Sequence, residues 1–142
     1  MATATKLFIT PDDVETQVFD WGTIKWLNEV RVTGAQRCAG GTVIIDPGKG
    51  HARHNHPGSD EMLYVISGEA DQMVEDDAGV PMERHIRAGD MVYVPEGAFH
   101  STMNTTWEPL RLLAVYVPGG PEAFLRSLPD CVIVPPGRLP VR

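Results

Sequence analysis

Residues 48–68 read GKGHARHNHPGSDEMLYVISG, and their spacing decides the reading of the whole chain. Strand side chains alternate between faces, so a His-x-His pair such as His54 and His56 throws two imidazoles to one side, roughly 7 Å apart at the Cα atoms. Pro57-Gly58-Ser59-Asp60 follows, a cluster of turn formers able to reverse the chain and bring Glu61 back beside the histidines. A third histidine, His100, lies thirty-nine residues after that glutamate. It follows the β-type run Val92-Tyr93-Val94 and the Pro95-Glu96-Gly97 turn, which puts it at a strand start near the same end of a fold.

Three of the five histidines in the chain are thus gathered with one carboxylate. Imidazole and carboxylate suit one divalent transition metal (Fe, Mn, Ni, Cu, Co or Zn), whereas calcium would want more oxygens. A lone His-x-His arises on strands without purpose. The pair gains meaning only because Glu61 and His100 fall in register with it. His51, in loop-like sequence, and His85, which alternates with Glu83 and Arg87, are expected at the surface, with His51 within reach of a ligand at the mouth of the site.

Written as patterns, residues 48–68 give G-x5-H-x-H-x4-E-x6-G and residues 89–104 give G-x5-P-x-G-x2-H-x3-N. These are the two signature motifs of the cupin superfamily, and the chain resembles the small single-domain bacterial cupins. The resemblance implies an all-β fold, the double-stranded β-helix or jelly roll. It also implies a metal site of His54, His56, Glu61 and His100, and a homodimer. On reaction it is nearly silent, because cupins include dioxygenases, decarboxylases, lyases, isomerases, cyclases and ligand-binding domains.

The remaining sequence fits such a barrel. Short β-type runs at 7–9, 14–19, 23–32, 42–46, 61–66, 69–75, 81–87, 91–94, 99–103 and 110–117 are separated by turn signals. The first two are expected to pair at an edge. Gly119-Gly120-Pro121 stops the last run, and Phe124, Leu125 and Leu128 at helical spacing predict one short C-terminal helix covering a barrel end. The tail after Pro129 should lie extended. A single domain over 1–142 is expected, with N-terminal strands at 7–32, a core barrel at about 40–117, and helix plus tail at 121–142.

The charge of −7 leaves no basic stripe for nucleic acid. No run of eighteen apolar residues exists to cross a membrane, and Met1-Ala2-Thr3-Ala4-Thr5-Lys6 opens no hydrophobic signal core, so a cytoplasmic location is expected. Cys38 and Cys131 are most simply free thiols. Glu75, Asp76 and Asp77 suit a solvated hairpin tip. Gly68, Gly89 and Gly97 are assigned to turns, and Asn104 to tying a strand to a nearby loop.

With Glu61 inward, Leu63 and Val65 share its face. With His100 inward, so does Thr102, while Ile44, Met73, Tyr93 and Trp107 are further candidates for the pocket wall. The list is apolar and lacks a phosphate-binding cluster. It favours a small-molecule substrate that chelates the metal through enolic, dicarbonyl or aromatic oxygens. Glu61 is both ligand and candidate proton acceptor. A dioxygenase is the expected activity. The alternatives are a redox-neutral lyase, isomerase, decarboxylase or cyclase using the ion as a Lewis acid, and a non-catalytic binding module.

Overall fold

Residues 6–140 are described by a computed structural model. After a 3-10 turn at Pro11–Asp13 come β1 (Thr16–Phe19) and β2 (Gly22–Asn28), then a single helical turn, α1 (Val30–Thr33). The barrel is built by β3 (Ala39–Ile45), β4 (Gly50–His54), β5 (Asp60–Ser67), β6 (Glu69–Glu75), β7 (Pro81–Arg87), β8 (Met91–Val94), β9 (His100–Met103) and β10 (Leu110–Val117). Helix α2 (Pro121–Ser127) and a last strand, β11 (Val132–Val134), complete the chain.

Two antiparallel sheets pack face to face as a jelly roll, one in the order β11-β1-β2-β3-β10-β5-β8 and the other β4-β9-β6-β7. The alternation that identified the strands also sorts their faces. Along β10, Leu110, Leu112, Ala114 and Tyr116 point inward and are buried, while Arg111 and Leu113 point out. The inward residues meet Val43, Ile45, Leu63, Val65, Trp26 and Ile86 in one core.

Turns between strands fall where the backbone needs unusual angles. Gly68 has φ +87°, and a Cβ there would lie 2.5 Å from the Pro109 carbonyl oxygen, so only glycine can carry β5 into β6. The acidic tip behaves as a hairpin turn: Asp76 Oδ1 accepts from the backbone N–H of Ala78 and Val80, both at 2.9 Å. Asn104 is the clasp expected of it. Its side-chain amide donates to the Ile45 and Glu108 carbonyls, and its Oδ1 accepts from Thr106.

Three expectations are corrected. Residues 7–9 form no strand, and Leu7 and Phe8 stand out at 75% and 90% exposure. The partner of β1 at the edge is instead β11, from the proline-rich tail, which aligns Thr16 with Val134 and Val18 with Val132. The run at 23–32 ends at Asn28, because Glu29 is drawn into a buried ion pair with Arg126 and the chain then takes the α1 turn. In α2 only Leu125 of the apolar trio is buried; Phe124 faces solvent. Among the described residues no helix is long and apolar enough to cross a membrane. Neither cysteine is in a disulfide. Residues 1–5 lie outside the described part, so the reading of the first segment is not addressed by it.

Candidate metal site

The jelly roll brings the four predicted residues together from three strands. His54 ends β4, His56 follows just beyond it, Glu61 is the second residue of β5, and His100 opens β9, paired directly with His54. One ring nitrogen from each of His54, His56 and His100 lies within 4.8 Å of the others. Glu61 faces the same point, its Oε1 3.1 Å from His100 Nε2 and its Oε2 3.5 Å from His56 Nε2.

Backbone carbonyls set the tautomers. His54 Nδ1 sits 2.6 Å from the Ala52 carbonyl oxygen, and His100 Nδ1 2.9 Å from that of Ala98. A carbonyl only accepts, so in each neutral ring the proton is on Nδ1 and Nε2 offers a bare lone pair. For His100 that Nε2 is buried and has no hydrogen-bond partner, although a carboxylate oxygen stands 3.1 Å away. Two electron-rich atoms held face to face in a dry interior call for a cation between or beside them. The group suits one divalent transition metal.

Electrostatics keep the donors in their ligating forms. Burial lowers the His54 ring to about 4, with His100 adding to the effect and the Ala52 carbonyl opposing it. Burial likewise lowers His56, against the pull of Glu61. For Glu61 burial pushes the carboxyl up, but a proton placed on the His100 or His56 ring beside it and a hydrogen bond from Tyr116 outweigh it and leave the group below its usual range; a cation in that place acts in the same direction. Tyr116 is raised well above 10 by burial and by Glu61, so its hydroxyl stays protonated and donates.

The wall is apolar: Ile24, Val43, Ile45, Leu63, Leu112 and Leu125 are among the residues enclosing a narrow cavity of about 30 Å³ beside the histidines. At about 10–15 Å³ for each water-sized group, this holds about two or three such groups before anything moves. Of the predicted wall residues, Leu63 and Thr102 line it. Val65 is fully buried in the core one pleat further on. Met73, Tyr93, Ile44 and Trp107 are turned away. Met73 alternates with inward Gln72, Tyr93 with inward Val94, and Ile44 with inward Val43 and Ile45; Trp107, in the β9–β10 turn, is 95% exposed.

His51, expected at the surface within reach of a ligand at the mouth, is half-buried and forms part of the cavity wall. Residues 51 and 54 should face opposite ways on a regular strand, but the pairing of β4 with β9 slips between them. That irregularity turns both rings to the same side. His85 does lie at the surface, with Nδ1 2.8 Å from Asp71 and Nε2 3.2 Å from Glu69.

A closed β vessel with a buried three-histidine cluster defines a metal-binding barrel protein. A family model described as "Cupin domain" matches residues 41–116, more than half of the chain, and the chain belongs to that family. Among curated proteins it is 35% identical over 78 residues to oxalate decarboxylase OxdC of Bacillus subtilis, covering 55% of this chain and 20% of that protein. It is 27% identical over 110 residues to the rhicadhesin receptor of Pisum sativum, covering 76% of this chain and 47% of that one. Among solved structures, the Lactobacillus farciminis oxalate decarboxylase–formate complex superposes with a TM-score of 0.70 at 30% identity, over 75% of this chain and 32% of that one. The B. subtilis oxalate decarboxylase, studied for its Mn(II) centres, gives 0.73 at 24% identity over 84% and 31%, a likeness of fold. The chain therefore spans under half the length of the relatives it matches.

Proposed function

We propose that this chain is a metal-dependent enzyme acting on a small carboxylate, by redox-neutral cleavage of the carbon–carbon bond beside the carboxyl group. The observation that carries this reading is the site itself, three bare or poised imidazoles and one carboxylate converging beside a cavity of about 30 Å³. The chamber accepts an ion and the coordinating atoms of one small carboxylate, with the wall giving way for the rest. A flavonol or other aromatic substrate is larger, and the curated relative with the higher identity is a decarboxylase. Both weigh against the dioxygenase expected from sequence.

His54, His56 and His100 would hold the ion through ring nitrogens, with Glu61 as the fourth ligand. When bound, a divalent ion with these ligands keeps about one unit of positive charge, attracting an anionic oxygen and stabilising negative charge that develops on it. The chain's own residues do the rest. Tyr116 donates to Glu61 and holds that carboxylate ionised. The Ala52 and Ala98 carbonyls keep the ring nitrogens unprotonated toward the site. Leu63, Leu112 and Leu125 exclude water, which strengthens every electrostatic interaction inside. In the reaction the bond to the carboxyl carbon breaks, carbon dioxide leaves, and the remaining carbon takes up one proton.

The test is metal analysis of protein purified without a histidine tag, then reconstitution with Mn, Fe, Co, Ni, Cu or Zn. A panel of small carboxylates, oxalate included, is followed for carbon dioxide release and net oxygen uptake. Carbon dioxide without net oxygen uptake is the expected result. Turnover confined to enolic or aromatic compounds, with stoichiometric oxygen consumption, would replace this reading with the dioxygenase. A homodimer belongs to the same proposal, supported by exposed Leu7 and Phe8; light scattering giving a monomer's mass would remove it.

A further inference from the structure

Four near-parallel rings run from the core to the site. Phe19 and Trp21 stack with centroids 5.0 Å apart and planes 5° from parallel; Trp21 and His51 follow at 4.9 Å and 18°; His51 and His54 close the series at 3.7 Å and 23°. Phe19 and Trp21 are 3% and 8% exposed, so the stack is rooted in packed interior and ends on a candidate ligand.

The other site residues are steadied differently. His100 is 1% exposed, enclosed in the barrel interior. His56 meets the edge of Tyr116, with centroids 4.8 Å apart. His54 is less buried than either, and its one hydrogen bond goes to a carbonyl only two residues back. That bond fixes the tautomer and pins one nitrogen, and His100 and His56 meet the ring obliquely, at 4.2 Å and 55° and at 4.8 Å and 72°, so tilting is opposed least across the ring face. A ring at 3.7 Å and 23° from parallel is van der Waals contact over the face and opposes that tilt.

We infer that His51, backed by Trp21, is a positioning residue that sets the plane of His54 and thereby the affinity and geometry of the metal site. The role belongs to the ring face of His51 and needs neither of its nitrogens. It depends on a strand irregularity: without the slip in pairing between His51 and His54, the two rings would stand on opposite faces of β4. The inference rests on the metal reading above, since it assigns a supporter to one of the proposed ligands.

The experiment is Co(II) titration of the metal-free full chain, recording dissociation constant and visible absorption spectrum for wild type, His51→Ala, His51→Leu, His51→Phe and Trp21→Leu. Losing a residue that orients a ligand typically weakens metal affinity about 10- to 100-fold. His51→Ala and His51→Leu should show that loss with a changed cobalt spectrum, and Trp21→Leu a smaller one. His51→Phe, which keeps the ring face and has no nitrogen, should restore both affinity and spectrum. The inference is overturned if His51→Phe is as impaired as His51→Ala, which would make His51 a nitrogen donor, or if His51→Leu binds like wild type. Far-UV circular dichroism of the metal-free variants separates either result from misfolding; should the alanine variant not fold, the leucine and phenylalanine pair decides. Wild-type protein that takes up no Co(II) would remove the metal reading itself, whereas normal wild-type uptake with an unaffected His51→Leu removes only this inference.

Discussion

The hydroxyl of Tyr116 stands 3.5 Å from Nε2 of His56 and donates to Glu61, although β10 brings it there from sixty residues further along the chain than that histidine. One phenol thus serves two of the four converging side chains. Removing only the oxygen, in Tyr116→Phe, should let the Glu61 carboxyl rise toward its ordinary range. Metal affinity at neutral pH should weaken by about 10-fold, as for other residues that support ligands. Isothermal titration with Co(II) or Mn(II) measures it, and an unchanged constant would exclude Tyr116 from any role at the site.

Replacing His56 by alanine should strip the ion and abolish activity while leaving the barrel folded, because the ring ends one side of a polar cluster and the apolar core around Val65 and Leu112 is untouched. Metal analysis and circular dichroism together check this. Wild-type metal content in that variant would take His56 out of the site.

The metal-free protein should lose stability as the solution is acidified from pH 6.5 to pH 4. His54 titrates at 6.5 when unfolded and at about 4 when folded. Between these values the unfolded chain binds a proton that the native state does not, so stability rises with pH through the window and is level above it. His56, also lowered, acts in the same direction. Glu61 is lowered from 4.5, and its contribution is lost only below that value. Melting temperature measured every half unit should fall across the window, and His54→Gln should make the profile shallower, the rest of the slope coming from His56 and from His51, which burial lowers to about 2. A flat wild-type profile would contradict it.

Arg126 fastens α2 to the rest of the molecule through Glu29, at 2.7 and 2.8 Å to its two carboxylate oxygens, and through Glu15 at 2.9 Å. Glu29 is 3% exposed, so Arg126→Ala leaves a buried carboxylate without its partner. Loss of one member of a buried pair costs 3–5 kcal/mol, and the partial exposure of Arg126 lowers the expectation to about 2–3 kcal/mol. Urea denaturation would show it. Arg126→Ala paired with Glu29→Gln should recover part of the loss, which a purely steric role of the arginine would not predict.

Strands were legible where their information is local. Alternation bounded by turn residues located 69–75, 81–87, 91–94 and 110–117 with the limits the structure gives. The converging quartet was legible for a similar reason, since short spacings and a hairpin carry three of its members. What failed was whatever depends on pairing between distant strands. Parity alone could not say that Tyr93 and Met73 face outward, because the reference residue for their faces lies on another strand. The side to which His51 turns depends on a slip in pairing, which is invisible in a single strand's sequence. The edge pairing of β11 with β1 joins segments more than a hundred residues apart, and nothing in either segment announces the other.

The ring stack also has an optical consequence. Trp21 is one ring removed from a candidate ligand, whereas Trp107 is 95% exposed at the far turn. An open-shell ion seated at the histidines should dim blue-shifted emission from the two buried indoles, Trp21 and Trp26, and leave the red-shifted emission of Trp107 almost unaltered. The ratio of the two bands would then report occupancy in unlabelled protein, with Trp107 as an internal standard.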